Sequence, residues 1–482
     1  MESKKFSEEE LRLLSLKTSK KLRSCLLGLS GIFVLLFSSI SPVVGQSVQS
    51  NASLTSSMNL DQCIAYGLQH HPYIQQSLIN QKIAKSTNII NLSAWMPQVS
   101  ASGSYTHYFQ TPTEFTTNTS NPGAPLAISH SPVTNEFFPQ IAVSQTIFNP
   151  NVLYAAKNAH LFVEQAKQSL DSTKINTIVN ISTSFYNLLL TLEQIDVLKE
   201  DTARLGKTLR DTYYQYKGGI VDQTDYKEAY ISLNNSKAQL RQSVENVKPQ
   251  YSILKQTMGY PIPDNFNVVF DTTSMLKQLA IDTTQVFNSE NRIEYRLLQT
   301  TKALQKNAIF YYKSQFLPTL SVNAAYVLQY ESNSSSNFWS RGYPYAGYPY
   351  PTSYIGVTLN LPLFTGFDRS ENIKKAKLQL QQLDLAEYNM KSEFYSQYQT
   401  ALAGYKSNLY NMKLLKENIG MAKDVYGVIT LQYKQGIVPY LNVITAESDL
   451  ISSEINYLNT MFQVLVSKVN LEKSVGILSI NQ

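Results

Sequence analysis

The chain has 482 residues, enough for about three ordinary domains by length alone, with a formal charge of +6 and only 16% charged residues. Half of that positive excess lies in the first 46 residues, so the remainder is nearly balanced and offers no basic patch for nucleic acid. Its two cysteines, Cys25 and Cys63, exclude a disulfide framework and a cysteine metal cluster.

Residues 1–46 read as an export signal. Lys17, Lys20, Lys21 and Arg23 precede the apolar run CLLGLSGIFVLLFSSI, and small residues follow at Val44-Gly45-Gln46. The run is short of the roughly 20 residues of a membrane helix, although a retained signal anchor is the alternative. Cys25 opens the run, ahead of its apolar body, and so is not expected to be a lipid-attachment cysteine. Residues 47–59 read as a linker. A helix is predicted over 61–95, then a strand over about 97–110, where Val99, Ala101, Tyr105 and Phe109 alternate with Gln98, Ser100, Ser102 and Thr106. A polar loop, 111–137, leads to a second strand over about 138–148. Residues 150–216 hold no proline after Pro150, which suits a first helical turn, and predict one helix of about 100 Å at 1.5 Å per residue. A turn at 217–222 returns the chain into a helix over 222–258.

After a linker at 260–283 the order repeats. The plan is a helix over 284–316, a strand over about 317–330, a Ser/Asn/Tyr-rich loop over 331–352 and a strand over about 353–364. A long helix over 367–433, a turn at 434–439, a helix over 439–475 and a tail at 477–482 complete it. Identical or similar words mark the repeat. QYKGGIV at 215–221 recurs as QYKQGIV at 432–438, LKE at 198–200 as LKE at 415–417, and MPQVSASGSY at 96–105 as LPTLSVNAAY at 317–326. Residues 60–259 and 284–476 therefore read as two copies of one unit. The helices carry coiled-coil spacing: Leu441, Ile444, Ile451, Ile455, Leu458 and Phe462 in the last one, and Tyr226, Tyr230, Leu233, Leu240 and Val244 in its counterpart.

The four strands have lengths near those of membrane β-strands, and the aromatic residues at their ends suit interfacial girdles. One alternating hairpin alone equally suits a sheet over a soluble core. The helices already use their seams on one another, however, which leaves lipid as the simplest cover for the apolar face. Four strands cannot close a barrel, and an open edge in lipid leaves backbone groups unsatisfied. Several chains must then pool their strands.

No Gly-x-Ser-x-Gly, His-Glu-x-x-His, P-loop or Gly-x-Gly-x-x-Gly word occurs, and the adjacent His70 and His71 point apart on a helix. No catalytic, cofactor or metal site is predicted.

LDQCIAYGLQHHPYI (60–74), VTLNLPLFTG (357–366) and QYKQGIVPYLNVITAESDL (432–450), in this order and with the duplicated plan, resemble the TolC family of outer membrane efflux proteins over about residues 58–478. The resemblance implies a mainly α fold with membrane β: duplicated halves, each with long coiled-coil helices and one β-hairpin. It implies a homotrimer, a twelve-strand β-barrel in outer membrane lipid and a twelve-helix α-barrel tunnel extending into the periplasm. Substrates would reach it from a periplasmic adaptor (a membrane fusion protein) and an inner membrane pump of RND or ABC type. It implies an adaptor-docking tip at Gly219, Ile220, Val221, Gly436, Ile437 and Val438. It also implies a tunnel constriction at Tyr433, Asn442, Thr445 and Asp225, where Asn442 and Thr445 stand in positions that can be acidic in the family. Geometry alone accounts for the two glycines, since a left-handed residue ends a helix. A periplasmic or surface coiled-coil structural protein is the alternative function; an adaptor is a weaker one, for want of a β-rich half flanking a central hairpin.

Overall fold

The structure is a computed structural model and describes residues 57–116, 127–131, 133–270, 279, 287–333 and 349–478. The export signal and the greater part of the 331–352 loop lie outside the described residues.

Strand β1 (Ser57–Met58) leads into α1 (Leu60–His70), which starts with a reciprocal cap between Asn59 and Gln62. The single helix expected over 61–95 is two. Pro72 biases the residue before it toward extended backbone, and His71 adopts φ −61°, ψ 127° between α1 and α2 (Pro72–Ser93). Next come β2 (Gln98–His107) and a short hairpin, β3 (Thr113–Thr116) with β4 (Ala127–His130), inside the stretch expected to be loop. Then follow β5 (Asn135–Phe148) and α3 (Pro150–Lys217), whose 68 residues form one uninterrupted helix. Helix α4 (Gln223–Met258) and β6 (Asn267–Val268) follow, and β6 pairs parallel with β1.

After a 3₁₀ turn at Ser289–Asn291, α5 (Ile293–Ser314) begins later than the predicted 284. Strands β7 (Thr319–Ser332) and β8 (Tyr350–Asn360) lead into α6 (Asp368–Lys434, 67 residues) and α7 (Tyr440–Val475). β8 ends before Pro362, which has no amide for a ladder, and Pro351 is tolerated because β8 is an edge strand. Helices α4 and α7 have 36 residues each. Among the described residues no helix is long and apolar enough to cross a membrane.

The main sheet has the order β2-β5-β7-β8, every pair antiparallel. Its register aligns the alternation of all four strands. Val99, Val143, Ala324 and Ile355 share one row, and Ala101, Ile141, Tyr326 and Ser353 another; Gln98, Ser144, Asn323 and Gly356 form the polar row beside them. At the end of the sheet remote from the long helices, Tyr105, Phe137 and Tyr330 form an aromatic row. β2 and β8 are its two open edges.

Helix α3 is central in the helical wall. It packs on α2 and α5 along its first half and on α4 and α7 along its second, while α6 packs on α5 and α7. The short helices stack end to end through left-handed glycines. Gly259 (φ 68°) brings its Cα face against His71 and Pro72, and Gly476 (φ 79°) meets the backbone of Asn291. Two short helices thus run beside one long one.

The main core sits at this level. Ile181, Phe185, Leu188 and Leu189 of α3, Leu254 and Met258 of α4, and Phe462 and Leu465 of α7 are buried there with Cys63. Burial pushes the Cys63 thiol up to about 12, so it stays protonated and inert.

Candidate functional site: the paired hairpin tips

The two QYK-x-G-I-V words end the two long helices in the same geometry. At the first turn Ile220 donates its amide to the Gln215 carbonyl at 2.9 Å and Gly219 to Tyr216 at 3.0 Å. At the second, Ile437 donates to Gln432 at 3.0 Å and Gly436 to Tyr433 at 2.9 Å. Gly219 (φ 71°) and Gly436 (φ 73°) are left-handed. This is the double hydrogen-bond closure of a helix C-terminus, in which glycine and the following apolar residue have fixed places. The closure therefore accounts for the recurrence of the glycine and of the isoleucine after it. The next helices start differently: Asp222 caps α4 through the Gln223 amide at 2.6 Å, whereas Pro439 precedes α7 without a side-chain cap.

Ile220 and Ile437 project from the turns, 75% and 65% exposed, while Val221 and Val438 are half-buried. Tyr433 is half-buried, stacks obliquely on Tyr440 and donates its hydroxyl to the Gln215 side-chain oxygen at 3.3 Å, which ties the two tips together. Asp225 is half-buried near Tyr433. Burial, with the adjacent Asp222 adding to it, holds its carboxyl above the usual range. Asn442 and Thr445 lie on the exposed face of α7, and the Thr445 hydroxyl donates to its own helix at Leu441. One chain thus brings Tyr433 and Asp225 near each other and leaves Asn442 and Thr445 facing outward.

The seam expected for α7 holds from Leu458 onward but is out of phase near the tip. There Tyr440, Val443, Ala446, Glu447 and Leu450 are buried while Leu441 is exposed. In α4, Leu233 is buried as expected and Leu254 is buried too, while Ala229 is buried in place of Tyr230. The phase shift puts a glutamate inside. Arg204 of α3 donates from Nε to Glu447 Oε1 and from Nη2 to Asp201 Oδ1, each at 2.9 Å, and Ser236 of α4 donates to Asp201 Oδ2 at 2.6 Å. Asp201 and Glu447 are almost wholly buried. Sequence reasoning missed this cluster; the available signal was Glu447 standing in 3/4 register with Val443 and Leu450.

An open sheet with an in-register apolar face, joined to long helices that end in paired turns, is the architecture of a subunit of an outer membrane channel. The family of outer membrane efflux proteins matches residues 66–259 and 307–477. The chain belongs to that family, and it is an outer membrane efflux channel protein. It is 19% identical over 348 residues to the outer membrane protein TolC of Vibrio cholerae, covering 70% of this chain and 76% of that one. It is 23% identical to the outer membrane efflux protein BepC of Brucella suis, covering 68% and 69%. Its fold is similar to the CmeC outer membrane channel of Campylobacter jejuni, with a TM-score of 0.68, 16% identity and coverage of 88% and 87%.

Proposed function

We propose that the protein is the outer membrane exit duct of a tripartite efflux or type I secretion system and works as a homotrimer. It would pass substrates from a periplasmic adaptor and an RND- or ABC-type inner membrane pump to the exterior, without enzymatic activity of its own. The observation that carries this is the sheet: an apolar face in register across four strands, with unpaired edges at β2 and β8. Val99, Ile355, Val357 and Leu359 are exposed on that face. In lipid such edges must be paired, and a second copy offers β8 to β2. Three copies make twelve strands.

The helical wall supports the same closure. Helix α6, at one margin, exposes two runs, Leu378, Leu385, Tyr388 and Tyr395, then Met421, Val425 and Val428, spaced by threes, fours and sevens within each run. These are coiled-coil-like stretches without a partner among the described residues. On the opposite margin α2 exposes Ile79 and Ile83, and α4 exposes Tyr230 and Val244. Joining the two margins would make a tunnel of twelve helical positions that reaches into the periplasm. We read the matching hairpins as copies of one unit, 60–259 and 284–476, behind a cleaved signal at 1–46 and joined by a linker at 260–283.

In this reading the tips are the periplasmic mouth. Gly219, Ile220, Val221, Gly436, Ile437 and Val438 are where adaptor hairpins dock, and the outward projection of Ile220 and Ile437 supports it. Tyr433, Asn442, Thr445 and Asp225 line the constriction. The test is fractionation of the full chain expressed in a Gram-negative host, followed by crosslinking and planar-bilayer recording. Crosslinked trimers in outer membrane that conduct ions are expected. A soluble periplasmic monomer would overturn the channel and favour a coiled-coil structural protein.

A further inference from the structure

The cluster below the tips has an unbalanced charge. One guanidinium, Arg204, serves two buried carboxylates, Asp201 of its own helix and Glu447 of α7. Asp201 is fully engaged, taking Arg204 on one oxygen and Ser236 on the other. Glu447 is engaged mainly on one side: Oε2 is buried without a well-formed hydrogen bond, with only the Tyr426 hydroxyl near the carboxyl. An ionised carboxylate with a bare, dehydrated oxygen beside a second carboxylate is costly. A neutral Glu447 removes that cost, because Asp201 and Arg204 then balance each other and Oε1 still accepts from Arg204.

Among the described residues Arg204 is the cation paired with Glu447. The groups that face it are Asp201 and Arg204 of α3 and Tyr426 of α6. Glu454, Glu200 and Lys423 lie around Arg204 farther out, and α4 supplies the neutral Ser236 and, beside Tyr440, Glu228. Burial, with Asp201 adding to it, holds the Glu447 carboxyl above the usual range, and Arg204 with the Tyr426 hydroxyl offsets only part of this. The same end of the wall holds other buried polar atoms that are poorly satisfied: Tyr440 Oη on α7, Thr212 Oγ1 on α3 beside the Tyr433 hydroxyl and Thr430 Oγ1 on α6 beside that of Tyr426. This seam between the hairpins is therefore only partly satisfied when packed and gains hydrogen bonds when wetted.

We propose that Asp201, Arg204 and Glu447 form a proton-linked brake between the two hairpins: the packed tip binds a proton on Glu447 more tightly than the parted tip does, so that loss of the proton to solvent favours parting of the hairpins. This rests on the reading of the tips as the mouth of the duct. The sign follows from linkage. A carboxyl that binds its proton more tightly when packed than when wetted favours the packed state at low pH and the parted state at high pH. A tenfold difference in proton affinity changes the parted-to-packed ratio about tenfold across the titration.

The brake makes the two members of one ion pair act in opposite directions. Glu447→Gln keeps an acceptor for Arg204 and never ionises, so it holds the tip packed at every pH. Arg204→Gln leaves two carboxylates without a cation and parts the tip. The experiment is a spin-label distance between Ile220→Cys and Ile437→Cys in the reconstituted full chain, from about pH 5 to pH 8. Expected are distances that lengthen with pH in the parent, stay short and flat with Glu447→Gln, and are long with Arg204→Gln. The idea is overturned if Glu447→Gln lengthens the distance, which is the behaviour of a merely structural ion pair, or if it keeps the parent's pH dependence. Should Arg204→Gln fail to assemble, these two outcomes still decide. Absence of conductance would count against the duct and leave the distance result standing.

Discussion

The middle of the helical wall and its tip are built from the same helices by opposite means. In the middle, α3, α4 and α7 meet through Ile181, Phe185, Leu188, Leu189, Leu254, Phe462 and Leu465, a dry apolar core reinforced by α1 and the β1–β6 pair. At the tip the apolar cluster shrinks to Ala229, Tyr440 and Val443, and the space beside it is filled by Asp201, Arg204, Glu447 and hydroxyl groups. A dry core loses free energy over its whole area when opened. A polar seam exchanges internal partners for water at much smaller net cost. The wall is thus fastened in the middle and releasable at the end, which suits a fixed tube with a movable mouth.

The largest test of this contrast is truncation in each region. Leu189→Ala removes a wholly buried side chain from the middle and is expected to cost about 2–5 kcal/mol, read by denaturant unfolding in detergent. Val443→Ala, equally buried at the tip, deletes two methyl groups beside a polar seam that can rehydrate, and about 1–2 kcal/mol is expected. Equal losses at the two sites would remove the distinction.

The left-handed glycines sharpen the contrast at constant chemistry. A Cβ on Gly476 would lie 2.9 Å from the Asn291 carbonyl carbon and 3.0 Å from its oxygen, both backbone atoms that cannot step aside. A Cβ on Gly436 meets nothing within 4 Å. Both pay for left-handed backbone, roughly 1–2 kcal/mol. Gly476→Ala adds overpacking of about 1–3 kcal/mol at the stacked joint. Thermal unfolding should therefore show a clearly larger drop in Tm for Gly476→Ala than for Gly436→Ala. A larger drop for Gly436→Ala would mean that the tip is packed as tightly as the joint.

The contrast also explains what was legible beforehand. The strands were readable because each alternates on its own, and pairing only lined the alternations up. The long helices and the turns at Gly219 and Gly436 were readable because absent prolines and glycine caps act locally. The break between α1 and α2 was written in His71-Pro72 but was overridden by the apolar pattern on both sides of it. The β3–β4 hairpin was hidden in a Thr- and Asn-rich stretch without a strong alternation. The phase of α7 near the tip failed for a deeper reason. An apolar count scores Leu441 as core and Glu447 as surface, whereas Arg204, more than two hundred residues away in sequence, makes the buried glutamate tolerable. Compensation of a buried charge is a property of three-dimensional neighbours, so the seam that can release was the part that the sequence pattern misplaced.

The smallest expected effect concerns the proposed lining of the mouth. Asn442 and Thr445 lie on the exposed face of α7, with no buried contacts to lose, so Asn442→Ala with Thr445→Ala should leave stability within about 0.5 kcal/mol of the parent. If they line the constriction, however, shortening both in every subunit widens the narrowest part of the path, and single-channel conductance should rise. Tyr433 and Asp225 give the internal comparison. Both are half-buried, and Tyr433 ties the tips through Gln215, so Tyr433→Phe acts on tip mobility without widening the path. Conductance that stays unchanged in the Asn442/Thr445 double variant, with Tyr433→Phe altering only gating noise, would move the constriction away from α7 and onto the turn residues themselves.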